Sequence, residues 1–164
     1  VRSSAASDVY KRQTQIKWVN DIYLNHKKIV GILSEAMTDI ETNSLKYIII
    51  GMGINFSIPQ ENYPDELQEK ATSLFPNGQA TITRNQLIIN IWNRFFNLLA
   101  DQTTYLDAYR KKSFVLGKKI TFKRKDQSYM GTAIAITDTG ELVVDLGEEK
   151  VHLSSGEISL SSIQ

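Results

Sequence analysis

The sequence predicts an α+β protein built from two successive parts, and three observations carry that prediction. Residues 17–57 alternate apolar runs with turn-prone pairs, the pattern of antiparallel strands. Residues 83–99 space their apolar side chains along one face of a long helix. From Gly117 onward the hydrophobic period drops to two, in short runs separated by polar or glycine-containing turns. With 164 residues the chain can bury a core and hold one domain plus a small module.

In chain order, residues 1–13, VRSSAASDVYKRQ, are small and charged and lack the apolar centre of a secretory signal. They read as a foreign or disordered leader. Their abrupt junction with a patterned strand suggests that the chain starts in the middle of a domain. The stretch KWVNDIYLNHKKIVGILSE, residues 17–35, reads as a hairpin turning at Asn25-His26. Gly31 within it marks a bulge or a place where something approaches the backbone closely. KYIIIGMGINFS, residues 46–57, is apolar throughout and is expected as a central strand, with Gly51 and Gly53 opening one surface.

Pro59, Pro64, Pro76 and Gly78 then punctuate a long loop holding a short helix near residues 65–70. Thr83 and Gln86 form a capping-box signature ahead of Leu87, Ile88, Ile91, Phe95, Leu98 and Leu99, which predicts a core helix. A shorter helix is expected over residues 104–112, packing through Tyr105, Leu106 and Tyr109. KKITFKR, YMGTAIAIT, ELVVDL, KVHLSS and GEISLSS follow as five strands of a small β-barrel, with the boundary near residues 113–117.

Composition narrows the chemistry. Nineteen basic against 18 acidic residues leave a net charge of +1, so nothing global points to nucleic acid or an anionic membrane. The run KKITFKRK at 118–125 is the sole nucleic-acid signal, and such runs are usually solvated. Cysteine is absent, which removes disulfides, thiolate nucleophiles and cysteine zinc sites and fits a reducing cytoplasm. Only His26 and His152 occur, and no apolar run is long enough to span a bilayer.

Within the hairpin, Lys28 is the candidate reactive cation, a compact charge suited to carboxylate or phosphate oxygens. Gly31, Ile32 and Leu33 would supply a wall for a flat, mostly apolar ligand, and Gly51 and Gly53 would let it approach. Asp21 could hold Mg²⁺ or fix the lysine, and Asn20 and Asn55 could bond a nucleotide. GMGIN alone is weak, lacking the third glycine of a dinucleotide fingerprint.

In series, KWVNDIYL, KKIVGILSE, GMGIN and GEISL resemble the biotin protein ligases in order and approximate spacing, across residues 17–160. The resemblance implies the second half of a catalytic domain, residues 14–115, with a core like that of class II aminoacyl-tRNA synthetases, then an SH3-like C-terminal domain, residues 116–164. It implies an enzyme that joins biotin and ATP, with Mg²⁺, into biotinyl-5′-AMP. Biotin then passes to a lysine of a biotin carboxyl carrier domain of acetyl-CoA carboxylase or a related carboxylase. By motif, Lys28 matches the lysine contacting biotin and the forming adenylate. Gly31, Leu33, Gly51 and Gly53 match the biotin pocket, Asn55 an adenylate-side residue, and Asn20-Asp21 the pair near nucleotide and metal. The expected setting is cytoplasmic, with no membrane or DNA partner for this chain and a homodimer left open.

The sequence departs from that pattern in places. Val19 stands where the motif usually has proline, and Ser161-Ser162 follow GEISL where some relatives have arginine. No glycine- and arginine-rich segment and no helix-turn-helix precede Lys17. An isolated fragment is therefore expected to be inactive. The competing readings are a lipoate or octanoyl transferase of the same fold, and a non-enzymatic ligand- or protein-binding module.

Overall fold

The computed structural model describes residues 13–100 and 105–160. The leader expectation, apart from Gln13, and Ser161-Ser162 lie outside the described residues. The chain divides into two compact units: residues 20–80 form one, and the described residues before 20 join those from 81 onward in the other. Residues 81–112 thus group with the C-terminal strands, whereas the sequence boundary was drawn near 113–117.

In the unit of residues 20–80, strands β2 (Asp21–Leu24), β3 (Lys27–Thr38) and β4 (Leu45–Ile54) pair antiparallel in that order. The β2–β3 reversal uses two residues, Asn25 and His26, both at positive φ. That is the backbone of a type I′ turn, whose twist matches the flanking strands. The pairing slips one residue further on: Ile22 faces Val30 but Tyr23 faces Lys28, so Ile29 is the extra residue of a bulge. Ile29 and Val30 are consequently both buried, where strict alternation would expose one. They make a small core with Leu24, extended by Ile22, Ile32, Ile54 and Leu74. The short helix α1 (Asp65–Gln68) and the rest of the loop follow, with Phe56 packed edge-on against Phe75 at 5.3 Å.

The expectation of a central strand is corrected for β4. Among the described residues β4 pairs with β3 alone, and every residue except Ile54 is exposed. Apolar content on both faces marks a strand made to be covered, but it does not supply the cover.

In the other unit, β1 (Gln15–Lys17) precedes Trp18, and helices α2 (Arg84–Ala100) and α3 (Tyr105–Lys112) lead into β5 (Lys119–Arg124), β6 (Gln127–Ile136), β7 (Leu142–Asp145), β8 (Lys150–Leu153) and β9 (Ile158–Leu160). The five strands form one sheet in the order β8-β7-β6-β5-β9. Ile120, Phe122, Ala133, Leu142, Val144, Val151 and Ile158 point to one core, and Trp18 completes it, its indole N–H bonding Gly140 O at 2.9 Å. The Trp18–Val19 peptide bond is cis.

The capping box at the start of α2 is reciprocal: Gln86 N donates to Thr83 Oγ1 and Thr83 N donates to Gln86 Oε1. The core-helix expectation needs correction, however. Leu87, Ile91, Phe95 and Leu98 are only half-buried, while Ile88, Ile89, Trp92, Phe96 and Leu99 are exposed. Of the packing positions expected in α3, Tyr105 is exposed and Tyr109 packs against the sheet core, its hydroxyl donating to Val19 O at 2.8 Å.

Candidate active-site face

The bulge at Ile29 decides the arrangement of the candidate residues. Three positions along a regular strand lie on opposite faces, so Lys28 and Gly31 should point apart. With one extra residue between them they share a face, and Lys28 extends over Gly31 to meet Asp21 at 2.7 Å. A methyl group on Gly31 would lie 3.3 Å from both Cε and Nζ of Lys28. Gly31 is therefore the bed of the lysine side chain, and the close approach anticipated from the sequence is made by this chain's own cation.

Gly31 pairs with Gly53, and Leu33 pairs with Gly51. Directly paired residues project to the same side, so Gly31, Leu33, Gly51 and Gly53 share a face with Asp21 and Lys28. The face continues through Ile49 and Tyr47. A methyl group at Gly51 would have Leu33 O as its nearest neighbour at 3.8 Å, and one at Gly53 would have Gly31 O at 3.9 Å. Their lack of side chains is thus not forced by crowding within the sheet. The result is a bare backbone floor, an exposed apolar border at Leu33 and Ile49, and an ion pair at one end.

Asn20 and Asn55 bind backbone with their side-chain amides. Asn20 Nδ2 donates to Ile32 O while Ile32 N donates to Asn20 O at 3.0 Å, clamping β3 beside the floor. Asn55 Nδ2 donates to Thr72 O at 3.0 Å. Asp21 is the one carboxylate beside Lys28, and no group of three metal-ligating side chains occurs among the described residues.

The sequence reading missed Gln60, Thr72 and Ser73. Ser73 is fully buried, and its hydroxyl both donates to Ile58 O and accepts from Ile58 N. The faint signal was Thr72-Ser73-Leu74-Phe75, a strand-like run inside a loop that otherwise reads as irregular.

Residues 5–55 match the Biotin/lipoate A/B protein ligase family, and residues 115–161 match the Biotin protein ligase C terminal domain. Both matches are to domains of biotin protein ligases and their lipoate-ligase relatives. It is 34% identical over 153 residues to the Bifunctional ligase/repressor BirA of Bacillus subtilis, covering 90% of this chain and 46% of that protein. It is 28% identical over 158 residues to the Biotin--[acetyl-CoA-carboxylase] ligase of Mycobacterium tuberculosis, covering 89% of this chain and 53% of that one. The chain therefore spans about half the length of these relatives. In fold it resembles the apo biotin protein ligase of Aquifex aeolicus, with TM-score 0.76 at 23% identity over 96% of this chain and 69% of the other. The same protein in complex with biotin and ATP gives 0.71.

Proposed function

We propose that this chain carries the lysine-bearing part of an ATP-dependent biotin protein ligase, and the observation that carries the reading is Lys28 held by Asp21 above the Gly31–Gly53 floor. The flat, mostly apolar biotin ring system lies along Gly31, Gly51 and Gly53 with Leu33 as its border, and its carboxylate reaches Lys28. A biotin carboxylate oxygen forms a bond to the α-phosphorus of ATP, and the bond to the leaving pyrophosphate breaks. Lys28, as a fixed ammonium, binds the charge that develops, with no proton transferred. The amine of a lysine on a biotin carboxyl carrier domain of acetyl-CoA carboxylase or a related carboxylase then attacks the biotinyl carbonyl. An amide forms, AMP leaves and the amine gives up a proton to solvent.

Asn20 and Asn55 belong to the nucleotide side in this reading. Mg²⁺ would arrive with ATP, with Asp21 as its single protein carboxylate, and would neutralise phosphate charge. One carboxylate with phosphate oxygens is an ordinary magnesium environment. The reading includes a core like that of class II aminoacyl-tRNA synthetases, domains at residues 14–115 and 116–164, closure of β5–β9 as an SH3-like barrel, and a cytoplasmic setting. Among the described residues no helix is long and apolar enough to cross a membrane. The match to the C-terminal domain over residues 115–161 favours a biotin ligase over a lipoate transferase.

The bare faces of β4 and α2 support a second element of the proposal: the working catalytic domain includes polypeptide equivalent to the other half of the relatives. The test incubates the chain, alone and joined to a relative's upstream half, with ATP, Mg²⁺, biotin and a carrier domain, then probes with streptavidin. Labelling is expected from the joined protein and not from the chain alone. In the joined protein Lys28→Ala is expected to lower pyrophosphate release at least about a hundredfold with melting unchanged, a loss of the size seen when a transition-state donor is removed. Normal release by the mutant refutes the role of Lys28.

A further inference from the structure

We propose that residues 70–75 form a strap that fixes Lys28 and couples it to Asn55, with Gln60 and Ser73 as the positioning residues that hold the strap in place. Its catalytic consequence rests on the function proposed above. The strap itself does not.

The backbone of Lys28 is bonded on both sides by one segment. Its N–H donates to Lys70 O at 2.8 Å, and its carbonyl accepts from Thr72 N at 3.0 Å, a parallel bridge centred on Ala71. The same Thr72 peptide then reaches across, its carbonyl accepting from Asn55 Nδ2 at 3.0 Å. Further along, Leu74 N donates to Asn55 O and Phe75 N to Phe56 O, each at 2.9 Å. Asn55 N itself bonds Ile29 O at 2.9 Å, closing a ring from β3 through the strap to the end of β4. Lys28 and Asn55, which lie at the same end of the glycine floor, thus share one intermediary, Thr72.

A strap made of loop backbone keeps its shape only if something holds it. Gln60 Nε2 donates to Gln68 O at 2.7 Å and to Ala71 O at 3.0 Å, tying the entry to the strap down at two carbonyls. Ser73 ties its middle to Ile58 through the pair of bonds at 2.8 and 3.1 Å. Lys27 Nζ adds a bond to Gln68 O at 2.6 Å from the neighbouring strand position. Lysine has a long stem with several rotatable bonds, and its charge is useful as a fixed group only when both ends are held. Asp21 holds the ammonium and the strap holds the backbone. In this chain the segment is therefore a positioning device and not a free lid.

The test is Gln60→Met, which keeps the length and removes the two donated bonds, with Ser73→Ala as the second variant. Amide hydrogen exchange on the chain itself is the first readout. Protection at Lys28 and Thr72 is expected to fall at least about tenfold, while Ile32, whose amide bonds Asn20 O outside the strap, stays protected and reports that the unit remains folded. The second readout is acylation of Lys28 by acetic anhydride, followed by mass spectrometry, which is expected to rise relative to Lys46. In the joined ligase, kcat for pyrophosphate release is expected to fall while KM for biotin is unchanged. Unchanged protection at Lys28 and Thr72 in both variants overturns the strap. Lost protection with wild-type kcat in an active ligase overturns its positioning role. A joined wild-type protein that makes no adenylate overturns the proposed function, while exchange and acylation still decide the strap.

Discussion

Replacing Gly31 by alanine separates the stability of the candidate site from its chemistry. The new methyl would stand 3.3 Å from Lys28 Cε and Nζ, inside ordinary contact by a tenth of an ångström or more, and 3.7 Å from Asp21 Oδ1, which is comfortable. The lysine tip must therefore yield and the carboxylate need not. The Lys28–Asp21 pair is partly exposed, 42% and 20% for the two side chains, so weakening it costs between about 0 and 1 kcal/mol after solvent screening. Alanine in place of glycine within a strand returns about 0.5–1 kcal/mol. The two terms nearly cancel, and the melting temperature should move by no more than about 4 °C. Activity responds differently, because a misplacement of about 1 Å can cost about a hundredfold in rate. A shift of a few tenths of an ångström then lowers adenylate formation about three- to tenfold. Thermal melting of the chain and pyrophosphate release by the joined ligase measure the two quantities side by side. A fall in melting temperature above about 8 °C would show that Gly31 serves the sheet and not the lysine. An unchanged rate would show that the position of the ammonium is immaterial.

Two further outcomes concern the C-terminal unit. At Gly131 a methyl group would meet Asp145 O at 2.5 Å and Val144 and Leu146 side-chain carbons at 2.7 Å, so Gly131→Ala must force β6 from β7 and is expected to destabilise by at least about 2 kcal/mol in chemical denaturation, against little change for Gly53→Ala. Burial raises the Tyr109 hydroxyl from the usual 10.0 to about 12, so the unfolded chain loses that proton first and stability should fall as pH rises from 10 towards 12, a slope that Tyr109→Phe makes shallower in melts across that range.

Where the controlling physics is local, the sequence was sufficient. Asn25-His26 tolerates the left-handed backbone that a two-residue hairpin needs, and Thr83 with Gln86 can satisfy each other's amides within one turn of helix. The alternation after Gly117 likewise marked all five strands, because one face of each must reach a shared core. A bulge was one of two readings of Gly31, but IVGIL reads the same whether Ile29 is paired or extra, so neither its place nor the contact it creates between Gly31 and Lys28 could be read. The strap was invisible for another reason: its bonds to Lys28 are made by backbone groups more than forty positions away, and backbone carries no sequence signal. Lys28, Asp21 and the glycines could be named as a group, but not the way one lies upon another.

The failures at β4 and α2 have a common cause that bears on function. β4 was expected to be central because it is apolar throughout, and α2 to be a core helix because its apolar residues follow one face, and both leave apolar side chains bare. Ile48, Ile50 and Met52 on one face of β4 and Tyr47 and Ile49 on the other are each exposed by two-fifths or more, alongside an outer edge with no partner among the described residues. A long apolar edge of this kind invites pairing with another strand. The glycine floor belongs to the same sheet, so a strand added at that edge would extend the floor. The adenylate chemistry proposed above needs an enclosed floor, because an acyl phosphate anhydride is lost to water unless the site closes over it. Lys28, Asp21 and the strap are formed within residues 20–80, whereas in the proposed reaction exclusion of water requires cover over the exposed face of β4. On the proposed function the fixed cation and the dry cavity are thus separable properties: the first is built into residues 20–80, and the second calls for cover over the exposed face of β4.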